Sequence, residues 1–251
     1  MPDLPTVLDH LTALKLKAFH GHLSTALEKH SSAQEGILST LDELAQAEIA
    51  LRQERSVAYR IEHACFERIQ TIDTFDFEYN PATKKIKHRY LRLFEADLTE
   101  QGLCALFVGS AGLGKTHLAR ALGYRLCQKN RRVLFTTTHA LAVNLTTAET
   151  TGTLKRVLQT YIQPALLILD EVGYVGLREL ESNLLFQVLS ARYEKQRPVV
   201  VTTNRPFGEW NQIFHNDAIA HAILDRLTEK SEVFHLEGKS YRETHRQRLK
   251  T

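Results

Sequence analysis

Gly109-Ser-Ala-Gly-Leu-Gly-Lys115-Thr116 is the stretch whose reading decides the fold. A glycine, four intervening residues and then Gly-Lys-Thr have the spacing of a phosphate-binding loop. The apolar run Leu103–Val108 before it predicts a buried strand, and His117–Leu126 after it predicts a helix. That strand–loop–helix setting separates the motif from a glycine-rich turn carrying a chance lysine. Gly109, Gly112 and Gly114 let backbone N–H groups close around phosphate oxygens. Ser110, Ala111 and Leu113 complete the loop, and His117 stands in the first turn of the helix, whose N-terminus adds positive partial charge. Lys115 is long enough to reach β- and γ-phosphates, and the Thr116 hydroxyl can hold Mg²⁺.

Outward from the loop, apolar runs alternate with helical patterns. Arg132–Thr137, Ala165–Leu169 and Val199–Thr203 read as strands, and Glu179–Lys195 as one of the helices between them. Continuous apolar strands separated by helices predict an α/β fold, a parallel sheet covered on both faces. Leu166-Leu-Ile-Leu-Asp170-Glu171 is an apolar strand that ends in two acids at the sheet's carboxyl edge, beside the phosphate loop. There Asp170 can organise Mg²⁺ and Glu171 can polarise a water for attack on a γ-phosphate. Two solvated acids at a strand end would look the same without the loop. Asn204 ends the Val199 strand. It can hydrogen-bond the attacking water or the γ-phosphate, or simply form a turn before Arg205-Pro206.

Residues 1–75 lack strand patterns and read as a small helical domain in front of an α/β domain at 76–251. Leu16, Phe19, Leu23 and Leu27 form one helical stripe, Leu41, Leu44 and Leu51 a second, and Ile61, Cys65 and Ile69 a third, which together predict three short helices. Such a bundle serves either interaction and oligomerisation or as a cap on its own core. Thr74–Pro81, with alternating aromatics and a closing proline, predicts extended chain. Lys84, Lys85, Lys87, His88, Arg89 and Arg92 then form a basic cluster on a helix. Lys84, Lys85, Lys87 and Arg89 are candidate contacts to a phosphate backbone, against the alternative of a solvated face.

Of the 251 residues 43% are apolar, enough for a core, and the net charge of +3 is too small to argue for nucleic acid by itself. Three cysteines without paired spacing predict buried small apolar residues in a reducing compartment. No signal peptide is recognised and no apolar run approaches the roughly 20 residues of a membrane span, so a cytoplasmic protein without a membrane partner is expected.

In combination these motifs become specific. The sequence resembles AAA+ ATPases of the bacterial initiator and helicase-loader branch, and most closely the IstB-like helper ATPases of insertion-sequence transposition. The residues that carry this are Phe75-Asp-Phe77, Gly109–Gly123, Asp170–Tyr174, Leu185–Tyr193, Thr203–Phe207 with Trp210, Ala222–Leu227 and Gly238–Arg242. The resemblance runs from about residue 5 to 245 and implies an AAA+ phosphate-loop core without the usual C-terminal lid. It implies ATP and Mg²⁺ as cofactors, Asn204 as the first sensor, Arg226 as an arginine finger entering a neighbouring subunit's site, and Arg242 as a second sensor or related γ-phosphate contact. It implies a homo-oligomer that binds duplex DNA and delivers it to a transposase. A replicative helicase loader shares the core and is the nearest rival. A small-molecule phosphotransferase is the rival of another class, against which stand the adjacent acids and the Asn204 strand.

Overall fold

The apolar run before the loop does form an interior strand, Cys104–Gly109, and its neighbours explain why so apolar a run is needed. The computed structural model describes residues 4–29 and 34–241. Five strands, β1 (Cys104–Gly109), β2 (Val133–Thr137), β3 (Leu166–Val172), β4 (Val199–Thr203) and β5 (Ser231–Leu236), form one sheet in the order β2-β3-β4-β1-β5. Every pairing is parallel. β1 therefore lies between β4 and β5, and β4 lies between β1 and β3. The loop after β1 and the ends of β3 and β4 meet at one edge, as parallel strands require.

Both faces of the sheet are covered. Along β1, Ala105 and Phe107 belong to one buried cluster while Cys104 and Leu106 belong to the other. The first face packs on α4 (Pro81–Glu95) and α6 (Lys115–Gln128), through Tyr90, Leu118 and Leu122. The second packs on α7 (Thr138–Thr150), α8 (Leu154–Ile162), α9 (Glu179–Glu194) and α10 (Asp217–Thr228), through Leu141, Val188 and Ile223. A short α5 (Leu98–Gln101) leads into β1. Arg192 is fully buried on α9 with no acid paired to it among the described residues. Its guanidinium donates to the carbonyls of Tyr161, Ile162, Pro164, Ala165 and Pro198, which closes the end of α8 over the starts of β3 and β4.

The chain divides into two compact units, Met1–Tyr59 and Arg60–Thr251. The first holds α1 (Leu4–Ala13), α2 (Lys17–Lys29) and most of α3 (Gln34–His63), around Leu11, Leu23, Ala26 and Leu44. Three helices are present, but the second and third apolar stripes do not make two of them. α3 runs unbroken to His63, after which Cys65 turns with φ +60 and Ile69 is exposed. The division between these units therefore falls within α3. Residues beyond it pack on the sheet: Phe135 of β2 donates to the Ala64 carbonyl at 2.8 Å, and Phe66 lies 6.1 Å from the Phe135 ring. Cys65 is exposed, against expectation, because the left-handed turn points it outward; Cys104 and Cys127 are buried. Thr74–Pro81 is extended only in part. Asp76 accepts from the Glu78 N–H and starts a single 3-10 turn at Phe77–Tyr79, so the alternating aromatics fold onto each other, with Phe75 and Phe77 edge to face at 4.7 Å. Among the described residues no helix is long and apolar enough to cross a membrane.

Candidate active site

The loop Gly109–Gly114 sits over the start of α6, and the geometry explains each glycine the loop depends on. Gly114 caps α6 at φ +86 with no side chain bonding the helix's first N–H groups, which leaves those donors directed at the cleft. A Cβ on Gly114 would stand 2.4 Å from the Phe75 ring. A Cβ on Gly109 would stand 1.9 Å from the Leu236 carbonyl oxygen of the neighbouring strand. Tyr241 donates its N–H to the Gly112 carbonyl at 3.0 Å and so lays the end of the described chain across the loop.

The loop opens into a cleft of about 480 Å³. It is lined by Ala111–His117, by the ends of β2, β3 and β4, and by the segment 67–79. Lys115 crosses the loop and donates to the Ser110 carbonyl at 2.7 Å. Thr116 Oγ1 donates to Asp170 Oδ1 at 3.0 Å, and the Thr202 hydroxyl donates to the same oxygen. Asp170 is 3% exposed, and the Thr138 hydroxyl donates to its backbone carbonyl at 3.1 Å.

Asp170 and Glu171 face different ways because β3 bulges. Leu169 pairs with Val201 and Val172 with Thr203, so the two acids lie opposite the single residue Thr202. Glu171 takes φ +61, costly for a residue with a Cβ, and its N–H is held by Thr202 Oγ1 at 3.0 Å. The acid before it is thereby buried against Thr116 while Glu171 is exposed in the cleft. Asn204, just past β4, is exposed in the same cleft.

The donor set fits magnesium. One hydroxyl and one carboxylate are hard oxygen ligands, the kind that bind Mg²⁺ together with substrate phosphates. Among the described residues no group of three or more His, Cys, Asp or Glu side chains could hold a metal ion without such help.

His117 closes the far wall. Its Nε2 lies 2.8 Å from the Thr71 carbonyl and 3.3 Å from Thr74 Oγ1, and its ring stands edge to face with Phe75 at 5.2 Å. Burial holds its pKa below the usual 6.5. The Thr71 carbonyl opposes that shift, and the charges of Arg68 and Arg120 reinforce it. Arg120, 4% exposed, pairs with Glu67 at 2.6 Å and stacks on Phe135.

Not every expected residue reaches the cleft. Arg226 lies in the last turn of α10, beside Gly102, Cys104, Val199 and Lys230, at the amino-terminal ends of the strands. At roughly 3.3 Å per residue the six residues of β1 separate that end from the phosphate loop by about 17–20 Å, further than a side chain reaches. Arg242 lies outside the described residues. In the basic cluster, Lys84 and Lys87 share Glu78, at 3.0 and 3.2 Å. Arg89 pairs with Glu232 at 3.0 Å and stacks on Phe234. Lys85 is exposed and makes no ion pair among the described residues.

Sequence reading missed Thr202, Phe75 and Tyr79 as cleft residues. Thr202 had a signal, since the apolar run Val199-Val-Val changes to hydroxyls at the edge where the acids sit. The aromatics had none of their own, because their approach to the loop depends on the turn at Phe77.

Comparison with known proteins agrees with this geometry. A family described as IstB-like ATP binding protein matches residues 9–249. An insertion-sequence ATP-binding protein (IS5376) of Geobacillus stearothermophilus is 37% identical over 199 residues, covering 79% of this chain and 78% of its own. Another (IS232), from Bacillus thuringiensis subsp. berliner, is 33% identical over 233 residues, covering 93% and 92%. Among solved structures, the DnaC helicase loader superposes with a TM-score of 0.60 at 22% identity, over 66% of this chain and 96% of that one. AMPPCP-bound DnaA from Aquifex aeolicus gives 0.59 at 18% identity, over 74% and 56%. At those identities the likeness is one of fold, that of AAA+ phosphate-loop proteins.

Proposed function

The chain belongs to the family of IstB-like ATP-binding proteins, an AAA+ ATPase by fold and family, and from that premise we propose that it is the ATP-dependent DNA-binding helper of a transposase. With ATP it assembles as a homo-oligomer on duplex DNA in the cytoplasm, remodels that DNA and delivers it to the transposase as target. Hydrolysis then releases the assembly.

The observation that carries this reading is the separation of Arg226 from the chain's own cleft. The cleft supplies a phosphate loop, a buried carboxylate, an exposed carboxylate and an amide. Of its arginines, Arg120 is held by Glu67 and Arg68 stands near His117, while Arg226 lies at the far end of the sheet. A neighbouring subunit that brings its Arg226 to this cleft completes the site, so the γ-phosphate bridges two subunits and nucleotide state governs assembly.

Within the cleft, the N–H groups at the start of α6 and Lys115 bind the phosphates. Thr116 and Asp170 would hold Mg²⁺, which neutralises charge on the phosphate oxygens when bound. Glu171, turned outward by the bulge, orients the attacking water and takes its proton; Asn204 bonds the water or the γ-phosphate. By resemblance Arg242 adds a γ-phosphate contact. The relatives named as insertion-sequence ATP-binding proteins support the setting in transposition. The helical unit 1–59, extended in our reading to residue 75, serves assembly or the transposase. Phosphate contacts repeated along the oligomer give a strong grip at a modest charge per subunit.

An ATPase assay with and without long duplex DNA tests the reading. Stimulation by duplex DNA, with no small-molecule phosphoryl acceptor, is expected. Indifference to DNA together with phosphoryl transfer to a small acceptor would overturn it, and stimulation only by a replicative helicase would favour a loader.

A further inference from the structure

We infer that Phe186 and Tyr193 are positioning residues for Arg226, a two-ring platform that presents its guanidinium as a pre-set anion receptor to the neighbouring subunit. This rests on the reading that Arg226 acts on a neighbour's site.

The sequence pattern builds the platform. Phe186 and Tyr193 are seven residues apart on α9, so they share one face two turns apart. α10 packs along that face. The Arg226 guanidinium carbon lies 5.0 Å from the centroid of Phe186 and 5.8 Å from that of Tyr193, within reach for cation–π attraction to both rings.

Two further bonds set the direction. One guanidinium N–H donates to the Ala222 carbonyl at 2.8 Å, a full turn back along α10. The Tyr193 hydroxyl donates to the carboxylate of Glu229, just past the end of α10, which holds the second ring in register with the helix that carries the arginine. Arg226 is half-buried, and the Ala222 bond is the one its guanidinium makes among the described hydrogen bonds. Attraction to the two rings holds the guanidinium in place without consuming its N–H donors, which are what grip phosphate oxygens.

An unrestrained arginine carries large rotamer entropy, which would be lost each time it entered a neighbour's site. Holding it beforehand removes that loss, and a small misplacement of such a group costs up to about 10²-fold in rate.

Phe186→Leu keeps apolar volume at a half-buried position, and Tyr193→Leu alters one that is 45% exposed. Each is expected to lower kcat for ATP hydrolysis by about 10- to 100-fold while leaving KM for ATP within about twofold. Each defect should be repaired in trans. Mixed with Lys115→Ala protein, a Phe186→Leu subunit offers its intact phosphate loop to an intact Arg226 platform, so hydrolysis should return. Arg226→Ala mixed with Lys115→Ala is the control for the underlying reading, with co-assembly verified by sizing. If the control recovers but Phe186→Leu and Tyr193→Leu keep parental kcat, or lose activity that mixing does not restore, the platform is refuted and the trans arginine stands. If the control itself fails to recover in verified mixed assemblies, the trans role of Arg226 falls and the platform with it.

Discussion

Thr116 Oγ1 donates a 3.0 Å hydrogen bond to Asp170 Oδ1, joining the first turn of α6 to the end of β3. The two oxygens come from segments 54 residues apart. The order β2-β3-β4-β1-β5 brings them together, because it sets the carboxyl ends of β1, β4 and β3 side by side. Thr202 bonds the same carboxylate from the intervening strand. The Asp170 carboxylate at the end of β3 is thus held from both α6 and β4.

Lys115→Ala and Glu171→Gln should have different phenotypes. Removing the Lys115 charge should weaken ATP binding by at least about tenfold, the equivalent of 1.4 kcal/mol. Glu171→Gln keeps shape and polarity but not the base, so it should bind ATP normally and lose about 10²–10⁴ in rate. Nucleotide titration beside single-turnover hydrolysis checks both. Parental hydrolysis by Glu171→Gln would remove it as the base.

Gly114→Ala should harm stability and nucleotide binding together. The new Cβ meets Phe75 at 2.4 Å and takes φ +86, for a combined cost of about 1–3 kcal/mol. Adding Phe75→Leu in the same chain should recover part of the loss, since it relieves the ring contact and leaves the dihedral strain. Thermal melts of the single and double variants decide this, and no recovery would assign the whole penalty to the backbone.

Acidification should loosen the wall of the cleft through His117. Its folded-state pKa is lowered, so the fold favours the neutral ring while the unfolded chain takes up a proton as pH falls below 6.5. The contribution is complete above that pH and is lost as pH drops toward the folded-state value. His117→Gln should flatten this part of the stability profile, measured by denaturant midpoints from about pH 7.5 to about pH 5. An unchanged slope in the variant would contradict the assignment.

The basic cluster on α4 should divide in two. Lys84, Lys85 and Lys87 are candidates for DNA phosphates, and changing all three to Ala should lower the salt slope of binding by about one unit per true contact. Arg89→Ala should instead cost about 1 kcal/mol of stability, because its ion pair and ring contact lie within the fold. A salt slope unchanged by the triple variant would exclude the lysines.

Much of this was legible in the sequence for a physical reason. Strands buried on both faces need continuous apolar runs, so β1, β3 and β4 announced themselves. β5, Ser-Glu-Val-Phe-His-Leu, is an edge strand with one polar side and carries no such run. Asp170 and Glu171 were readable as a pair, but their opposite orientations depend on the bulge against Thr202, which follows from strand register. The end of the helical segment was misleading because Ile61, Cys65 and Ile69 keep helical spacing past His63, where the chain has already turned to bond β2.

The central claim is an ATP-dependent assembly on duplex DNA, and imaging the full chain with long duplex DNA and a non-hydrolysable ATP analogue tests it most directly. The account predicts ordered oligomers on the DNA, with Arg226 of each subunit at its neighbour's phosphate loop and no such particles when nucleotide is omitted. Monomers that leave the DNA unbound under those conditions, or oligomers in which Arg226 stays remote from every nucleotide, would contradict it.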